Sequence, residues 1–207
     1  MAHRTSNSGE FSGRWGLWAG RKRGSALPLE LDALLPNRRY NDDLIAGLET
    51  LKLGPQLQAG AIAAVFAADP FLNVRLLAVA LSRAGVRRVG NFPSVAQYGD
   101  AFEQTLAEVE LGVDRELSIL RQFRDLGFVT YQTVAGNAAG RPDEEGRTGY
   151  LIGLSFDDLR SAAGPAAAVR SRRASVIARV GAGREVLICR PPALGDERAT
   201  IMTWPLD

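Results

Sequence analysis

Histidine and cysteine are nearly missing from this chain of 207 residues, which holds one of each, His3 and Cys189. A lone cysteine excludes an internal disulfide and any thiolate metal cluster built by the chain alone. A single histidine in a polar leader makes a multi-histidine metal site or a buried Ser-His-Asp triad improbable. No run of about 18 apolar residues occurs, so nothing reads as a membrane span. Residues 1–11, MAHRTSNSGEF, lack the apolar core of a signal peptide, and the cytoplasm is the expected location. A strong charge of one sign is absent too, since 25 basic and 23 acidic residues leave a net +2. The basic clusters Arg21-Lys22-Arg23 and Arg170 with Arg172-Arg173 are read as solvated surface arginines, and no nucleic-acid or membrane partner is expected.

Other absences concern chemistry. There is no dinucleotide fingerprint, and no nucleotide or flavin motif is found. Gly153-Leu154-Ser155-Phe156-Asp157 lacks the second glycine of a nucleophile elbow, and Gly181-Ala182-Gly183 has no lysine after it, so it is not a phosphate loop. Cys189 lies in an apolar run and reads as a buried side chain, not a reactive one.

What is present is a globular α/β pattern. With 46% hydrophobic and 23% charged residues, the composition excludes wholesale disorder, and the length suits one core with an appendage. Two apolar runs, AIAAVFAADPF at 61–71 and VRRVGNFPSV at 86–95, each end in a polar residue followed by proline. Between them, Val74, Leu77, Ala80 and Leu81 mark one face of a helix over 72–84, with Gly85 placed as its C-cap. Two parallel strands with a crossover helix read this way, and their polar ends then share the carboxyl-end edge of a sheet, where α/β folds bind ligands.

Around this unit, residues 41–53 form a helix led by an Asn-Asp-Asp cap. Residues 99–126 read as two helices broken near Gly112, with Phe102, Leu106 and Val109 as the apolar face of the first. The face of the second is Val113, Leu117, Leu120 and Phe123, and FVTYQTVA at 128–135 is a third strand. After Gly136 the rhythm is expected to fail: a polar loop over 136–149, a short strand YLIGL, a helix start at Ser155, and then ASVIARVGAGREVLICRPP as an antiparallel hairpin turning at 181–183. The tail ERATIMTWPL offers one more strand. The domains are thus a flexible leader over 1–11, a βα unit over 12–135, and a loop with an α/β extension over 136–207 that completes the same domain.

The site candidates follow from strand ends and loops. Asp69 suits a general base, a ligand for a divalent cation such as Mg²⁺, or a water-orienting group; the competing role is the N-cap of the 72–84 helix. Asn91 is placed to donate to a carbonyl or developing oxyanion, against a local Asx turn. Arg14, in the glycine-rich loop SGRWGLWAGRKRGS, is a clamp for an anionic substrate, against a plain surface loop anchored by Trp15 and Trp18. Tyr131 and Gln132 end the third strand, and one of the pair must face inward.

In order along the chain, SGRW at 12–15, AGRKRGS at 19–25, LLP at 34–36, IAAVFAADPF at 62–71, GNFPSV at 90–95 and LAEVELGVDRE at 106–116 resemble the TIM-barrel family described as phosphoenolpyruvate-hydrolase-like. The resemblance covers about residues 12–135 and implies an incomplete or modified (β/α) TIM-barrel-like fold, with the C-terminal hairpin as its extension. The chain departs from the family pattern at Ala68, Leu72 and Glu103, and in VELGV and YQTV, so it reads as a truncated and divergent member. The resemblance adds Ser12 and Ser94, within the matched motifs, as substrate-binding candidates. Glu108 and Glu116 match acidic family positions, and Glu108 joins Asp69 and Asn91 as a catalytic candidate, although charged helix faces usually meet solvent. It implies a hydrolase or lyase acting on a small oxygenated acid or carbonyl compound, in a specialised pathway such as natural-product biosynthesis. The alternatives are a catalytically decayed binding or accessory protein and one subunit of a split barrel. An open half-barrel leaves two sheet edges exposed, so a homodimer is the simplest repair.

Overall fold

The computed structural model describes residues 14–17, 39–50, 60–135, 149–153, 155, 157–158, 165–180, 185–188 and 201–204. Its strands are β1 (Arg14–Leu17), β2 (Ala61–Ala64), β3 (Arg88–Gly90), β4 (Val129–Val134), β5 (Gly149–Ile152), β6 (Val186–Ile188) and β7 (Ile201–Trp204). Its helices are α1 (Tyr40–Thr50), α2 (Val74–Arg83), α3 (Asp100–Glu108), α4 (Val113–Asp125) and α5 (Pro165–Val180). The strands make one sheet in the order β6-β5-β4-β3-β2-β1-β7. From β1 to β6 every neighbouring pair is parallel, and β7 runs antiparallel to β1. Parallel strands laid down in sequence order, without a reversal, are the winding of a (β/α) barrel and not of a doubly wound sheet.

β2 and β5 bury both faces along their whole length and β4 all but its first residue, which is why they read as apolar runs without alternation. On one face Ala61, Ala63, Val65 and Val89 pack against Leu44 and Leu48 of α1, Leu77 and Leu81 of α2, and Leu120 and Phe123 of α4. The other face, which would line a barrel interior, joins Ile62, Ala64, Tyr131, Leu151 and Leu187 to Phe92 and Tyr40. α2 starts where the Asn73 side chain accepts the Leu76 N–H at 3.0 Å and stops before Gly85 at φ +76°. The break between α3 and α4 falls at Gly112, where a Cβ would stand 2.9 Å from the Ala107 Cα.

Three expectations are corrected. Residues 165–180, which contain ASVIARV, are helical, and β6 pairs parallel with β5, so there is no C-terminal hairpin. Pro165 opens α5 as a first-turn residue. Arg172 and Val176, four apart, are both buried, whereas a strand would bury every second residue. The βα rhythm therefore continues past Gly136 as β5-α5-β6. Nor is Arg172 a solvated surface arginine: its guanidinium donates to the Gly153 carbonyl at 2.9 Å and to Asp158 at 2.8 Å in a buried ion pair. The Asn-Asp-Asp cap is the third: α1 begins one residue earlier, at Tyr40, which puts Asn41 inside the first turn.

The N-terminal edge of the parallel sheet is covered by β7, the tail strand expected from ERATIMTWPL. The leader, the cluster at 21–23, Trp18, the polar loop at 136–148 and Cys189 lie outside the described residues.

Candidate functional site

Two strand ends set the rim. β2 runs on through Val65, whose N–H donates to the Gly90 carbonyl at 2.9 Å, into the turn that carries Asp69. Asn41 of α1 fastens this turn: its amide donates to the Phe66 carbonyl and to Asp69 Oδ2, both at 3.0 Å, and its oxygen accepts the Phe66 N–H at 3.1 Å. Asp69 Oδ1 accepts the Phe71 N–H at 2.9 Å, and the Asp69 carbonyl accepts Arg115 Nη2 at 2.8 Å. Asp69 is half-buried. It does not cap α2, because Asn73 does.

The end of β3 is built differently. After Gly90 come Asn91, a cis Phe92–Pro93 bond and Ser94, which caps a 3-10 turn over 95–97. Asn91 is buried; its amide makes a long local contact to Ser94 Oγ at 3.5 Å, but its short bonds are to residues remote in sequence. Its oxygen accepts the Thr133 N–H of β4 at 2.6 Å, and its amide donates to Glu116 Oε2 at 2.8 Å. Ser94 Oγ donates to the same oxygen at 2.6 Å, and the Val95 N–H donates to Glu116 Oε1 at 3.1 Å. Glu116, in the first turn of α4, is fully buried. Burial pushes its carboxyl up to about 7, against the lowering effect of the Ser94, Val95 and Asn91 hydrogen bonds and with a further push from Glu103. Near neutrality it therefore exchanges a proton. Burial, and secondarily the Glu116 charge, push the Tyr98 phenol up to about 12.

Asp69 and Asn91 thus come to one rim, with Ser94 beside Asn91. Tyr131 is the inward member of its pair: it lies among Ile62 and Leu151, its hydroxyl donates to Glu185, and Gly149 makes room for its ring. Gln132 is buried on the opposite face. Glu108 is exposed at the end of α3, away from these groups. Arg14 opens β1 opposite Trp204, and Ser12 lies outside the described residues.

The sequence reading passed over Asn41, Arg115 and Thr133, and preferred Glu108 to Glu116. For Glu116 a signal existed: it stands four and seven residues before Leu120 and Phe123, an acid on the buried stripe of α4. Asn41 and Arg115 reach groups remote in sequence, and Thr133 offers its own N–H to the Asn91 side chain, pairings that no spacing reveals.

A Mg²⁺ site needs one or two free carboxylates beside substrate oxygens. Both Asp69 oxygens already accept N–H bonds, and among the described residues no three His, Cys, Asp or Glu side chains converge. The described residues do not fit such an ion.

A parallel, sequentially wound sheet with polar groups gathered at its carboxyl ends defines an incomplete TIM-barrel-like protein of enzyme-like fold. The family model for phosphoenolpyruvate hydrolase-like proteins matches residues 19–142, and the chain belongs to that family. It is also similar to the uncharacterized protein y4oT of Sinorhizobium fredii (strain NBRC 101917 / NGR234), at 36% identity over 101 residues. That match covers 49% of this chain and 50% of the relative, so the chain spans about half the length of the curated relative it matches. Among the described residues no helix is long and apolar enough to cross a membrane.

Proposed function

We propose that this chain is a small-molecule enzyme, a hydrolase or lyase, that acts on a small oxygenated acid or carbonyl compound at the β2–β3 rim. The observation that carries the reading is Asp69. Its carboxylate is oriented by Asn41 and by the Phe71 N–H, belongs to a half-buried residue, and stands on a carboxyl-end rim. A carboxylate so held accepts a proton from an attacking water or from a carbon next to a carbonyl. Asn91, Ser94 and Glu116 act as positioning residues that fix the turn beside the site. A homo-oligomer and a role in a specialised biosynthetic pathway belong to the same proposal.

One observation favours a second reading, a binding or accessory protein without turnover. Asn91 and Ser94 are sealed from solvent, so neither meets a substrate in this conformation. A thermal-shift screen separates the two. Pyruvate, phosphoenolpyruvate and a phosphonate analogue are tested with and without Mg²⁺, on the native protein and on Asp69→Asn, and products are followed by NMR. The enzyme reading expects saturable stabilisation by an acid and turnover that Asp69→Asn abolishes. Stabilisation without turnover supports the accessory reading, and no shift with any acid overturns the substrate class.

A further inference from the structure

Among the described residues the apolar stripe of α3 is only partly covered. Phe102, whose ring lies against Tyr98 at 4.7 Å between centroids, is 47% exposed, and Val109, the residue that caps the helix, is 60% exposed. Acids flank this ridge: Glu103 is half-buried, and Glu108 and Glu110 are exposed. A second surface, exposed among the described residues, has the opposite charge. Between α2 and the end of α4 lies a groove of about 520 Å³, with Ala78, Val79, Leu126 and Phe128 as its apolar wall and Arg75 and Arg83 at its margin. Val79 and Leu126 are 48% and 45% exposed.

One molecule cannot bring the two together. α3 follows the carboxyl end of β3, whereas Arg83, Leu126 and Phe128 stand at the end of α2 and just before β4, toward the amino ends of the strands. We infer that the α3 ridge of one copy docks in the α2–α4 groove of a second copy, apolar stripe on apolar wall, with glutamates facing arginines. Groove against groove would set arginine against arginine and ridge against ridge glutamate against glutamate, so the contact is heterologous, head to tail. This surface differs from the sheet edges that a barrel-repairing dimer would use.

The test is sedimentation velocity on the full chain over a concentration series at low and high salt. Three samples join the native protein: a groove variant, Arg75→Glu with Arg83→Glu; a ridge variant, Glu108→Arg with Glu110→Arg; and their equimolar mixture. All four substitutions lie on exposed or groove-margin side chains, and circular dichroism verifies the fold. The native chain is expected to associate, with affinity weakened about tenfold or more at high salt. Each variant alone is expected to be monomeric, and the mixture to associate again, because both reversed surfaces then find their complement. A monomeric native chain overturns the proposal. So does a variant that associates like the native chain, or a mixture that stays monomeric.

Discussion

The ends of β2 and β3 carry similar sequence punctuation, a polar residue and then a proline within two positions, yet one is open and the other sealed. At β2 the polar side chain is held by the neighbouring helix α1 through Asn41, and its second oxygen takes the Phe71 N–H two residues on. Asp69 stays half-buried, and the residues after it, Pro70 and Phe71, are exposed. At β3 a carboxyl from α4 reaches back over the strand end and takes three donors, so that Asn91, Ser94 and Glu116 close on one another. The difference lies in what packs above each turn. A half-buried rim residue whose carboxylate takes one side-chain and one backbone donor keeps acceptor capacity for chemistry, whereas one that serves a buried carboxyl is committed to holding the rim together.

The largest effect should come from removing the closure. Glu116→Ala leaves the Asn91 amide, the Ser94 hydroxyl and the Val95 N–H buried without their acceptor, at a cost of about 4 kcal/mol in unfolding free energy by urea denaturation. Equal stability for this variant and the native chain would remove the distinction between the two rims.

The next effect is a pH dependence at the sealed rim. Glu116 has its carboxyl raised by burial from 4.5 to about 7, so the folded state holds a proton that the unfolded state has lost. Its contribution is fully present below pH 4.5 and is lost as pH rises through about 7, a fall of about 3 kcal/mol. The difference in unfolding free energy between the native chain and Glu116→Gln, measured across that range, should show this slope with stability declining upward. A flat difference would mean that Glu116 keeps an ordinary carboxylate in the fold.

The smallest effect is expected at the open rim. Asp69→Ala removes two hydrogen bonds near solvent and should cost about 1 kcal/mol in the same denaturation experiment. A loss as large as that of Glu116→Ala would make Asp69 a structural residue and weaken its place in catalysis.

Much of the frame was legible. The β2-α2-β3 unit, the break at Gly112, the paired helices and the strand at 129–134 all follow from apolar spacing, glycine punctuation and short-range capping. The family was legible from motif order. The C-terminal part was misread because ASVIARV is rich in β-branched residues, and its helical period shows only once Arg172 and Val176 are seen to share a buried face. The α3 stripe was legible as an amphipathic face, but its exposure was not. Amphipathicity tells which side of a helix is apolar and not whether the fold supplies a cover.

The same division holds at the site. The sequence by itself determined that Asp69 and Asn91 follow the carboxyl ends of parallel strands, because a polar residue and a proline stop an apolar run. The strand expected over 61–68 nevertheless ends at Ala64 and leaves Asp69 in the turn beyond it. Only the tertiary structure decided their fates. Asn41, 28 residues from Asp69, and Glu116, 25 residues from Asn91, are the partners that open one end and seal the other. Hydrogen bonds between groups so far apart in the chain depend on how helices pack across the strand ends, and local pattern carries no record of that packing.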